Sequence, residues 1–147
     1  MTQSIETPDD MPVREGWALQ HHHETFSGRA GPYYFREGSE PGVGFFAKPH
    51  HGNLGGVVHG GALMTLADMA LFDICFRKLG VFKGLTVTLN AEFLGAGPLD
   101  AFIEASGEVT NAGRKLVFAR GMISSGGDPI LAFSGTLKRL STASSFD

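Results

Sequence analysis

The chain has 147 residues, of which 42% are hydrophobic and 18% charged, a balance that excludes a disordered polymer and suits one domain with a real core. A formal net charge of −3 leaves no basic surplus to neutralise phosphate backbones, which argues against nucleic acid as a partner. No apolar run is long enough for a membrane span, no signal-peptide pattern opens the chain, and the single cysteine forbids an internal disulfide, so a cytoplasmic setting is expected.

Residues 1–30 read as a polar arm with a short helix around Arg14–Leu19. The run His21-His22-His23 reads as polar surface, because adjacent side chains diverge and no second ligand cluster accompanies them; no metal is expected. Tyr33–Glu37 and Val43–Ala47 have strand character, and Gly38-Ser39-Glu40-Pro41-Gly42 between them is turn chemistry. Lys48 to Val58 is a loop broken by Pro49, Gly52, Gly55 and Gly56. From about Gly61 to Leu79 the spacing predicts a helix: Leu63, Leu66, Ala67, Ala70, Leu71 and Ile74 recur every three or four residues, and Gly80 ends the run. Its other face holds Met64, Thr65, Asp68 and Phe72 and is only partly polar, so one sheet cannot cover it all. A second subunit is therefore expected, as a homodimer or a homotetramer. Within this helix Cys75 reads as a small buried hydrophobe and Asp73 as solvated or salt-bridged.

Four alternating segments follow: Leu85–Phe93, Ala101–Thr110, Lys115–Ser124 and Pro129–Leu140. Turn residues join them, which predicts an antiparallel meander. The expected architecture is α+β, an antiparallel sheet of about six strands around one long central helix. The domain covers residues 31–140, and 141–147 form a polar tail.

The chemistry concentrates in Asn53-Leu54-Gly55-Gly56-Val57-Val58-His59-Gly60-Gly61, which runs directly into the helix. A helix N-terminus offers unpaired backbone N–H groups that polarise a carbonyl or hold an anion. Two turns in, Asp68 is too far along to cap the helix and is costly among apolar residues unless paired or used. A donor and a base so placed point to acyl chemistry. Gly60 and Gly61 fit a tight turn with positive φ or close backbone approach to a ligand. His59 reads equally as a structural histidine or as an aid at the carbonyl, and Asn53 as an Asx turn or a site residue. Thr86 is either an ordinary strand residue or part of the site. Phe45, Phe46, Phe72, Phe76 and Phe82 suit core or interface, and some suit an acyl pocket.

The Asn53, His59-Gly60-Gly61 and Asp68 spacings, together with Gly84-Leu85-Thr86-Val87-Thr88-Leu89-Asn90, resemble the hotdog-fold acyl-CoA thioesterases over about residues 33–140. The subgroup is that of the phenylacetate-degradation thioesterase and thioesterase superfamily member 2. The resemblance implies a cofactor-free enzyme acting on acyl-CoA. In it Asp68 is the general base or nucleophile, and the Gly60 N–H polarises the thioester carbonyl. Asn53 orients the carbonyl or the water from the neighbouring subunit, Thr86 positions the water, and His59 stands beside them. Gly61 and Thr65 would line the substrate, and Arg114 and Lys115, in a strand connection, read either as an ordinary charged turn or as cations that meet the coenzyme A phosphates. The 4-hydroxybenzoyl type does not match, because no Asp follows the first hairpin. Two other readings stand beside hydrolysis. One is a non-catalytic acyl-CoA binding protein. The other is a hotdog dehydratase acting on hydroxyacyl thioesters, whose proline-rich histidine motif is absent.

Overall fold

The computed structural model describes residues 10–20 and 24–141; the His21–His23 run, residues 1–9 and residues 142–147 lie outside the described residues. Seven strands and two α-helices form among the described residues. They are β1 (Trp17–Gln20), α1 (Phe26–Ala30), β2 (Tyr33–Arg36), β3 (Val43–Phe46), α2 (Gly60–Leu79), β4 (Gly84–Phe93), β5 (Phe102–Ala112), β6 (Leu116–Ser125) and β7 (Asp128–Arg139). All strands pair antiparallel in one sheet of order β1-β2-β3-β5-β6-β7-β4, with α2 packed against it. This is the hotdog arrangement that the resemblance implies, with one strand more than the sequence pattern predicts.

The extra strand replaces the helix expected around Arg14–Leu19. Gly16 has a φ of +81°, which breaks a helix there, and Trp17 to Gln20 alternate between half-buried and exposed. Trp17 pairs with Arg36 in β2 and sets its ring edge-on to Phe102 at 5.0 Å. Aromatic packing across strands thus outweighs the weak helical pattern. The short helix of this region forms later, as α1, capped by the Thr25 hydroxyl accepting from the Gly28 N–H at 3.1 Å.

The second difference is topological. Strands β5, β6 and β7 form a meander, and the β6–β7 turn Gly126-Gly127 has positive φ at both residues, as a two-residue hairpin requires. β4 does not join it as a neighbour of β5. It lies at the far edge, paired with β7 from Gly84↔Arg139 to Phe93↔Leu131. Residues 94–101 are too many for a tight hairpin, and they are anchored elsewhere. Val58 N–H donates to the Gly97 carbonyl at 2.9 Å, and Asp100 N–H to the Ala47 carbonyl at 2.7 Å. These bonds carry the chain from the sheet edge back to its middle.

Helix α2 buries Leu63, Leu66, Ala67, Ala70, Leu71 and Ile74, as its periodicity predicts. They meet Val43, Phe45, Ile103, Val117, Ile123, Leu131 and Leu137 from the sheet. The helix comes so close that a Cβ on Gly135 would stand 2.4 Å from Leu71 Cδ1. Cys75 is fully buried in this core, and burial pushes its thiol up to about 11, so it stays protonated near neutral pH. Asp73 is also buried, as an ion pair. Its Oδ1 accepts from Arg77 Nε at 3.2 Å and its Oδ2 from Gly42 N–H at 2.8 Å. The Arg77 guanidinium also donates to the Arg36 and Gly38 carbonyls, so the pair latches α2 to the β2–β3 turn with its charges satisfied.

Candidate active site

The loop before α2 is held by a histidine that sequence reading overlooks. His51 ends a 3₁₀ turn, Pro49–His51, and is 4% exposed. Its Nδ1 accepts from the Lys48 N–H at 2.9 Å, so Nε2 carries the proton and donates to the Ala30 carbonyl at 2.6 Å. Its own carbonyl accepts from the His59 N–H at 2.7 Å, which sets where α2 begins. Burial, then the nearby His50, push the ring's pKa down to about 4 from the ordinary 6.5. The folded state therefore releases a proton that the unfolded chain keeps between those values. Stability is full above pH 6.5 and is lost as pH falls toward 4, by about 3 kcal/mol from this group. Unfolding midpoints measured across that range should drop more steeply for the wild type than for His51→Gln; equal slopes would remove His51 as the cause.

Asn53 shapes the same loop. Its Oδ1 accepts from the Gly55 N–H at 2.9 Å and the Val57 N–H at 3.3 Å, which is the Asx-turn reading. His59 is the N-cap of α2, and its Nδ1 accepts from the Gly61 N–H at 2.8 Å. The Gly61 N–H is therefore engaged. Gly60, the first helical residue, keeps an N–H with no partner among the described residues. Neither glycine has positive φ, which corrects the tight-turn expectation; both lie in the first turn of the helix. A Cβ on Gly60 would stand 3.3 Å from the Phe93 ring, and one on Gly61 would stand 3.0 Å from His59 Nδ1. Thr65 turns its hydroxyl back to the Gly61 carbonyl at 2.9 Å.

Asp68 is half-buried on the face of α2 that the sheet leaves open. Thr86, near the start of β4, donates its hydroxyl to Asp68 Oδ1 at 2.6 Å, a short charge-assisted bond. Asp68 Oδ2 has no partner among the described residues. The carboxylate is thus oriented by one oxygen and available through the other. Two cavities meet at it. One, of about 490 Å³, is lined by Thr25, Phe26, Ser27, Met64 and Thr65; the other, of about 700 Å³, by the rings of Phe35, Phe72, Phe76 and Phe82 together with polar residues that include Asp73 and Arg77, and both share Asp68 and Met69.

Asp68 and Thr86 are therefore brought together, whereas Gly60 stands apart from them. Eight residues along a helix advance about 12 Å, too far for both groups of one chain to touch one carbonyl. Arg114 and Lys115 are exposed in the β5–β6 turn, and no contact ties their side chains to α2; the Lys115 carbonyl accepts from Arg139. Among the described residues, no group of three His, Cys, Asp or Glu side chains is placed to hold a metal ion, and no helix is long and apolar enough to cross a membrane.

Residues 55–132 match the family model described as thioesterase superfamily. The chain is 30% identical over 108 residues to a Pseudomonas aeruginosa protein named "Putative esterase PA0474", which spans 71% of this chain and 81% of that one. Zebrafish thioesterase superfamily member 2 superposes with a TM-score of 0.69 at 25% identity, covering 80% of this chain and 88% of its own. A hypothetical thioesterase of Streptococcus pneumoniae, solved with coenzyme A, superposes with a TM-score of 0.63 at 25% identity, covering 71% and 81%.

Proposed function

The chain belongs to the thioesterase superfamily and is a thioester hydrolase, and from that premise we propose that it hydrolyses acyl-CoA to free acid and coenzyme A with Asp68 as its base or nucleophile. The observation that carries the assignment is the Thr86–Asp68 bond of 2.6 Å on an open helix face between two cavities. Asp68 takes a proton from water as the water oxygen attacks the thioester carbon, or its free oxygen attacks directly and water then resolves the anhydride. The oxyanion is met by the Gly60 N–H at the positive end of a helix. The C–S bond breaks, and the sulfur leaves as the coenzyme A thiolate and is protonated.

In this reading the Gly60 and Asp68 of one site come from two subunits. The separation of about 12 Å along α2 supports that arrangement, and so does the sheet edge. β4 is ten residues long, lies at an edge, and leaves Leu85, Val87 and Phe93 exposed, with Leu94 exposed just past its end. A long apolar edge strand in water invites pairing with another copy of itself. The Asn53 side-chain amide NH₂, which has no partner among the described residues, then orients the carbonyl or the water of the neighbouring site, while its oxygen is used by the loop. His59 fixes the helix start, and Gly61 and Thr65 line the approach. Arg114 and Lys115 meet coenzyme A phosphates. The lone buried cysteine supports a reducing, cytoplasmic setting.

Thiol release from an acyl-CoA panel tests the assignment, and no turnover of any member would overturn it. Thr86 gives a finer test. Thr86→Val keeps the shape of the side chain and deletes the hydroxyl, which should lower kcat by about 10-fold or more, the worth of a hydrogen bond to a charged group. Thr86→Ser should restore most of that loss. Equal rates for Val and Ser would leave Thr86 as an ordinary strand residue.

A further inference from the structure

The smaller cavity at Asp68 has one wall that is lightly held. Thr25, Phe26 and Ser27 close it on one side, and α2 closes it on the other. The element that carries this wall, α1, is five residues long and buries none of its side chains. Phe26 is 73% exposed, and Ala30, at the far end, packs part-way against the core. A helix this short does not hold itself in water. Its C-terminal end is tied to the loop before α2 by two histidines. His51 Nε2 donates to the Ala30 carbonyl at 2.6 Å, and His50 Nε2 to the Gly31 carbonyl at 3.0 Å. We propose that His51 is a positioning residue for the reaction and holds two parts of the site at once: through Nε2 it keeps α1 against the Asp68 cavity, and through Nδ1 it fixes the loop that presents the Gly60 N–H. This rests on the assignment of Asp68 and Gly60 to the reacting site.

The two holds lie on one fixed ring. The Phe45 ring is centred 4.5 Å from it and the His50 ring 3.8 Å. Nδ1 accepts from the Lys48 N–H at 2.9 Å, which closes the turn Pro49–His51. From that turn the chain doubles back: Gly52 bridges Val58, and the His51 carbonyl accepts from the His59 N–H at 2.7 Å. Gly60 is the next residue, so the aim of its N–H follows from where His51 stands. Nε2 serves the other element, α1. A donor that matters only in the transition state acts on kcat, whereas a wall that touches substrate before and during reaction acts on KM. Loss of the Nε2 hold therefore shows in KM, because a site whose wall is docked in about a tenth of the molecules binds about tenfold more weakly. Loss of the Nδ1 hold shows in kcat, because misplacing a reacting group by about 1 Å costs up to about 10²-fold.

Asparagine and glutamine divide the ring between them. His51→Asn keeps an acceptor near Nδ1 for the Lys48 N–H and is too short to reach Ala30. His51→Gln keeps a donor near Nε2 for the Ala30 carbonyl and leaves the Lys48 N–H unmatched. The full chain is assayed with hexanoyl-CoA and benzoyl-CoA. His51→Asn should raise KM by about fivefold or more with kcat within about twofold, and His51→Gln should lower kcat by about fivefold or more with KM within about twofold. Hydrogen exchange should divide the same way. The amides of Arg29 and Gly31, bonded within α1, should lose protection in the asparagine variant, and those of Ala62 and Leu63, bonded to the His59 carbonyl, in the glutamine variant. If neither variant folds, His50→Ala, at an exposed residue, removes the other tether; it should raise KM alone and unprotect Arg29 and Gly31. Variants that change kcat and KM alike, or that leave both unchanged, would overturn the proposal. A wild type that hydrolyses no acyl-CoA, while exchange still divides between the two variants, would instead overturn the hydrolase assignment and leave the two holds standing.

Discussion

Asp68→Asn is expected to lower kcat/KM for acyl-CoA hydrolysis by about 10²- to 10⁴-fold, the span covered by a positioned general base. The substitution is chosen to separate chemistry from folding. Asparagine keeps the size of the side chain, and its carbonyl oxygen still accepts from the Thr86 hydroxyl, which stands 2.6 Å from Asp68 Oδ1. The second oxygen, which has no partner among the described residues, becomes an amide that neither takes a proton nor attacks a thioester. Thermal midpoints should therefore stay close together while thiol release collapses. Retention of more than a tenth of the wild-type rate would remove Asp68 from its role.

The second large effect concerns Gly60. Gly60→Pro deletes the proposed oxyanion donor, and proline is tolerated at the first position of a helix. The residue before it is already suited: His59 has φ −62° and ψ 136°, the extended conformation that a following proline demands. The expected loss in kcat is about 10²- to 10³-fold, that of one oxyanion donor. Gly60→Ala retains the N–H, sets a methyl 3.3 Å from the Phe93 ring, and should cost much less. The two dead proteins then test the shared site together. If each site takes its carboxylate from one subunit and its N–H from the other, dissociating and re-mixing Asp68→Asn with Gly60→Pro rebuilds one intact site in every mixed dimer. With random pairing, about a quarter of wild-type activity should return. A site built within one chain predicts no recovery.

Much of this was legible in the residues. The period of Leu63, Leu66, Ala67, Ala70, Leu71 and Ile74 marks the helix and its buried face, and the two-residue alternation after Gly84 marks four strands. Pattern alone does not report which strand lies beside which. The edge position of β4 depends on hydrogen bonds from residues 94–101 to Val58 and Ala47, groups distant in sequence. β1 was hidden because four residues are too few for periodicity, and its identity rests on Trp17 meeting Phe102 across the sheet. At the site, the Asn53, His59, Gly60 and Asp68 spacing is visible, whereas the work of His51 is not. Nothing in Pro49-His50-His51-Gly52 announces that one ring will be buried against Ala30 and hold the loop. Likewise Gly60 and Gly61 suggest a turn by composition, and only the structure places both in the first turn of α2 with the Phe93 and His59 rings beside them.

The pairing of β4 with β7 also fixes an order of assembly. Asp68 emerges from the ribosome early and so does Thr86, yet the strand bearing Thr86 has no neighbour in its own chain until residues 128–139 have been made. Fifty-five residues separate Gly84 from its partner Arg139, a long loop to close before the register is set. The hydroxyl that orients the carboxylate is thus framed last, by the final strand. A chain lacking that strand carries both residues of the pair without the scaffold that joins them.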